Sequence, residues 1–194
     1  KKLINSDLLT GDQATPLNVL NSNSPKILHF ATHSRFRKPQ DTQTESPLLR
    51  SEIILSGANN PEANPNDDGY LTASEVTGMN LNDTEMVVVS GCDSGKGGIV
   101  YGENIYGLKR AFAVAGARSS LLTLWRIDDY ATVAFMESFY KKLKDGMART
   151  DALIETQREF RDGKIEGPKG EDYSHPFYWA PFQLTGDWRP IENL

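Results

Sequence analysis

The chain has 194 residues, 21 Lys and Arg against 26 Asp and Glu for a net charge of -5, and a single cysteine. That length suits one domain, residues 1–194, able to bury about 70% of its unfolded surface. The acidic balance, without a basic cluster, excludes nucleic acid and an anionic membrane as direct partners. No apolar run nears the roughly 20 residues of a bilayer span, and the N-terminus lacks the layout of a signal peptide. A solitary cysteine forms no internal disulfide, which suits a reducing compartment, with the cytoplasm as the expected location. The opening Lys1-Lys2-Leu3, without an initiator methionine, points to a piece of a longer polypeptide.

In chain order, the first predicted strand is 26–31, an apolar run behind the turn-forming residues 21–25. A second is expected at 52–55. The stretch 57–69, rich in Gly, Asn, Asp and Pro, is expected to be an exposed, mobile loop whose flanking strands complete one sheet. Residues 85–90, Glu-Met-Val-Val-Val-Ser, are β-branched without alternation, the pattern of a strand buried on both faces. A helix over 103–115 leads through Gly116 into a fourth strand at 118–125, so strand, helix and strand predict a parallel crossover. Helices at 129–143 and 150–160, a polar loop at 163–174 and a short strand at 182–184 complete the pattern. The alternation predicts an α/β three-layer sandwich with a mostly parallel sheet between helices.

Sites in open parallel sheets gather beyond the carboxyl ends of the strands. Two strands here end in reactive residues: the first leads to His33, and the buried third leads to Cys92. Cys92 follows its apolar run, between Gly91 and the small residues Asp93, Ser94 and Gly95. Small residues allow a substrate carbonyl to approach the backbone, whose N–H groups stabilise an oxyanion by a few kcal/mol. An ordinary thiol, with a pKa of about 8.5, needs a neighbouring base, which His33 can supply as general base or ion-pair partner. Read singly, a lone Cys is a buried structural thiol and a strand-end His a hydrogen-bonded structural residue. The pairing carries the chemistry.

The motifs His29-Phe-Ala-Thr-His33, Ser46-Pro-Leu-Leu49, Asp68-Gly-Tyr-Leu-Thr-Ala-Ser-Glu75, Val89-Ser-Gly-Cys92-Asp-Ser-Gly95, Gly116-Ala-Arg-Ser119, Leu124-Trp125 with Asp128-Asp129, and His175-Pro-Phe-Tyr-Trp-Ala-Pro-Phe182 follow one another through nearly the whole chain. In these the sequence resembles the CHAT domains, caspase-like cysteine peptidases associated with tetratricopeptide repeats. The resemblance implies a caspase-type sheet, a His33–Cys92 dyad and no cofactor. It also implies a protein or peptide substrate, and control by a tetratricopeptide-repeat region or other regulatory partner. The backbone N–H groups of Ser34 and Cys92 would form the oxyanion hole. Trp125, Arg126, Asp128 and Asp93 would line the pocket for the residue before the cleaved bond, their mixed charges leaving its preference open. Two positions depart from the family pattern: Ser34 stands where Gly is usual, and Gly91 where Ala is more typical. The rival reading is a catalytically silent caspase-like scaffold that binds partner proteins.

Other constellations are weaker. Asn64, Asn66, Asp68, Gly69, Thr72 and Glu75 fit positions of a calcium loop, but the flanking helices that an EF-hand needs are missing, and a turn capping a short helix explains Asp68 to Glu75. Gly91 to Gly97 fails the phosphate-loop spacing and lacks the Ser or Thr after its Lys. His29 and His33 have a helical metal spacing on what reads as a strand, so zinc is not expected. His29 reads instead as a core residue bonded through its nitrogens, and His175 as part of a turn.

Overall fold

A computed structural model describes residues 4–37, 46–60, 62, 67–91, 101–126 and 128–194. Its main sheet has the order β1 (Ile27–Phe30), β5 (Met86–Val89), β6 (Ser119–Thr123), β7 (Phe182–Gly186). The first three run parallel and β7 runs antiparallel to β6. Helix α4 (Tyr101–Val114) makes the crossover from β5 to β6.

Both faces of this sheet are covered, which makes β5 an unbroken buried apolar run. Its alternate residues serve two cores. Val87 and Val89 join Phe30, Leu108, Ala111 and Phe112 on the α4 face. Met86 and Val88 join Leu121 on the face of α5 (Asp129–Lys144) and α6 (Arg149–Arg161), with Phe135, Phe139 and Phe160. There Phe135 stacks on Phe182 of β7, with ring centroids 3.7 Å apart. The three-layer sandwich expected from the sequence is present. At the end of the sheet away from His33, the fully buried Arg149 bonds to both Glu85 and Asp187.

One expectation is corrected. The strand expected at 52–55 is β3 (Ser51–Ile54), and it lies outside the main sheet. It pairs antiparallel with β2 (Ser34–Phe36) on one side and β4 (Tyr70–Thr72) on the other. Ile53 and Leu71 are fully buried in the α4-side core. Glu52, next along the strand, accepts a hydrogen bond from Arg35 Nε at 2.8 Å on the other face. Four residues bury only one apolar side chain, Ile53, with Ile54 half-buried, too little pattern to reveal which sheet they join. The described ends of the 57–69 loop close on each other: Leu55 N–H donates to the Gly69 carbonyl at 2.8 Å.

Among the described residues the short α-helices are α1 (Pro16–Leu20), α2 (Pro47–Arg50), α3 (Ala73–Val76) and α7 (Pro176–Trp179). Helix α3 starts on a reciprocal cap, with Thr72 Oγ1 accepting from Glu75 N–H and the Glu75 carboxylate accepting from Thr72 N–H. The carboxylate in the calcium-like pattern is thus engaged in capping; Asn64 and Asn66 lie outside the described residues. His175 caps α7, its Nδ1 accepting from Phe177 N–H at 3.2 Å. No helix among the described residues is long and apolar enough to cross a membrane.

Candidate active site at the strand ends

The parallel register pairs Phe30 with Val89, so β1 and β5 end side by side. The pairing continues as Ser90 N–H donates to the Phe30 carbonyl at 3.1 Å. One residue on, the backbones crowd: a Cβ added to Gly91 would collide with the Thr32 carbonyl and come within 3.3 Å of His33 N. Glycine fits where the chain after β5 lies against the chain after β1, and a larger residue does not. From the second sheet, Ile54 N–H donates to the His33 carbonyl at 2.8 Å, and Thr32 Oγ1 donates to the Ile54 carbonyl at 2.7 Å. The backbone around His33 is therefore held from both sheets while its side chain stays exposed.

Ser34 is buried, and its hydroxyl donates to the Gly91 carbonyl at 3.1 Å. It opens β2 opposite Ile53 and is not among the residues with positive φ. Serine therefore adopts this backbone without strain, and glycine is not required. Its hydroxyl instead links the residue after His33 to the residue before Cys92. Cys92 and Asp93 themselves lie outside the described residues, as do Ser94 to Gly97.

The expected pocket residues separate by what they bond. Trp125, just past β6, donates its indole N–H to the Phe177 carbonyl at 3.0 Å. Asp128 caps α5, its Oδ1 accepting from Ala131 N–H at 3.0 Å. Arg126 is exposed, and no hydrogen bond or ion pair engages its side chain among the described residues. The structure thus puts Trp125, Arg126 and Asp128 at the carboxyl end of β6, the strand next to β5.

A further cluster lies on the α5 side of the same strand ends. His29 Nε2 is 3.0 Å from Ser90 Oγ, and His29 Nδ1 is 3.1 Å from the Tyr140 hydroxyl of α5. The His29 and Tyr140 rings lie 5.7 Å apart, centre to centre. His29 as a residue keeps contact with solvent, yet both ring nitrogens face protein hydroxyls, and desolvation lowers its pKa to about 4. Desolvation also raises the Tyr140 phenol above its usual range, so it stays protonated. The sequence foresees the bonded nitrogens, but His29 is an exposed residue rather than the core residue expected, and the sequence carries no signal for Tyr140, 111 positions away. Among the described residues no three His, Cys, Asp or Glu side chains converge as metal ligands.

The CHAT domain family matches residues 1–187. Tetratricopeptide repeat protein 28 of Homo sapiens is 27% identical over 206 residues, which cover 95% of this chain and 8% of that protein. Its Mus musculus counterpart is 25% identical over the same span. The chain thus spans about 8% of the length of these relatives.

Proposed function

Because the chain belongs to the CHAT domain family, we propose that it is a cysteine endopeptidase domain in which His33 and Cys92 form the working pair. The observation that carries this reading is the junction of Gly91 with Thr32, His33 and Ser34, because it joins the chain neighbours of both residues. Cys92 Sγ, as thiolate, attacks the scissile carbonyl carbon. The oxyanion is met by the backbone N–H groups of Ser34 and Cys92. His33 protonates the departing amine, and water then hydrolyses the thioester with His33 as base. No cofactor takes part.

The residue before the scissile bond would enter beside Trp125, Arg126, Asp128 and Asp93. The Asp128 carboxylate is committed to its helix cap, whereas Arg126 is exposed and unengaged among the described residues. That difference favours an acidic side chain in the substrate. The relatives' name also supports control by tetratricopeptide repeats, here as an attached or partner region. A free thiol nucleophile suits a reducing compartment, which makes the cytoplasm the proposed location.

The test is Cys92→Ala in the complete protein, with its regulatory partner bound. The substitution should abolish peptide-library cleavage and labelling by a thiol-directed peptidyl electrophile, with a nearly unchanged melting temperature. Cleavage that survives it overturns the assignment. A wild-type protein that neither cleaves nor labels supports the silent scaffold.

A further inference from the structure

The hydroxyls of Ser90 and Tyr140 sit on opposite nitrogens of His29; Ser90 directly follows β5, Tyr140 is in α5 and His29 in β1. Ser90 lies two positions before Cys92, next to the glycine that packs on Thr32. Val88, in the same strand, turns to the same core as α5. The cluster therefore ties the end of β5 to a helix anchored by Phe135 and Phe139, both fully buried.

The two contacts admit two donor orders, set by the His29 tautomer. A neutral imidazole offers one N–H and one lone pair. Tyr140 keeps its proton, so in one of the two orders its hydroxyl donates to Nδ1. In that order Nε2–H donates to Ser90 Oγ. We propose that Tyr140, His29 and Ser90 form a directional hydrogen-bond relay that positions the strand end carrying Cys92, with all three acting as positioning residues. The inference rests on the peptidase reading above. It adds a reason for a histidine inside the strand four residues before the proposed base, where an apolar residue would fill the space but leave Ser90 and Tyr140 without this partner.

The experiment uses the complete protein and a peptidyl acyloxymethyl ketone, whose inactivation kinetics separate binding from the covalent step. Tyr140→Phe keeps the ring and removes only the hydroxyl. It should lower the maximal inactivation rate about 10- to 100-fold, as small misplacements of a reacting group do, without changing the half-saturating concentration. Ser90→Ala should behave alike, and Ser90→Thr, which restores a hydroxyl, should recover most of the rate. In parallel, nitrogen-15 NMR of labelled histidine, assigned with His29→Gln, should show His29 protonated on Nε2 and bare on Nδ1. A wild type that never reacts with the ketone removes the peptidase reading and this proposal with it. If the wild type reacts and Tyr140→Phe matches it, or if His29 carries its proton on Nδ1, the relay alone is overturned.

Discussion

Substituting Gly91 by alanine probes the junction on which the proposed site depends. The new Cβ would be driven into the Thr32 carbonyl, a backbone group that cannot rotate aside, and against His33 N. Restoring ordinary contacts requires the ends of β1 and β5 to part by more than about 1 Å. Overpacking of this kind costs about 1–3 kcal/mol. The Ser34–Gly91 hydrogen bond, which the same movement stretches, is worth about 0.5–1.5 kcal/mol. For a chain of this size each kcal/mol lowers the melting temperature by about 2–4 °C, so a fall of about 3–18 °C is expected by calorimetry. Because the displacement separates His33 from the residue before Cys92, the rate of thiol labelling should fall by about 100-fold, more than the stability loss alone would produce. A Gly91→Ala protein that melts with the wild type and labels at the same rate would refute the close approach. It would also show that the alanine more typical of the family fits here as well.

Three other outcomes follow from the same contacts. Arg126→Glu should lower kcat/KM about tenfold or more for peptides with an acidic residue before the cleaved bond, since a charge-assisted hydrogen bond is worth about 1.5–3 kcal/mol, and should raise it for their lysine counterparts; a peptide panel reads this. Arg149→Ala should destabilise by about 3 kcal/mol, the lower end for a broken buried ion pair, because Glu85 keeps Arg118 at 3.1 Å and Asp187 keeps Arg189 at 2.7 Å. Urea unfolding at neutral pH measures it. His29 has a folded pKa of about 4, below its ordinary 6.5, so the native state binds fewer protons than the unfolded chain between those values. Stability contributed by neutral His29 is therefore complete above about pH 6.5 and is lost as pH falls toward 4. The urea midpoint of the wild type should drop more over that window than that of His29→Gln, and parallel curves would contradict it.

Much of the fold was legible because the burial pattern is local. The apolar run of 85–90 reads as a strand covered on both faces, and β5 is one. The glycine at 116, with φ at 105°, ends the α4 turn ahead of β6, where the sequence expects the helix to give way. The elements missed were short: β2 and β4 have three residues each, too few for either period to show. Ser34 stands where glycine is usual in the family. The structure shows an extended residue whose hydroxyl binds Gly91, a partner 57 positions away that no local pattern announces.

The two strands whose sequences lead to His33 and Cys92, the parallel crossover between β5 and β6, and the family itself were determined by the order and type of residues, because strand burial and motif spacing are properties of neighbours in the chain. Tertiary structure alone decided that 51–54 joins a second sheet, that Gly91 lies against Thr32, and that Tyr140 reaches His29. Those facts depend on which surfaces meet after the sheet closes, and contacts between residues 15 to 111 positions apart leave no period in the sequence.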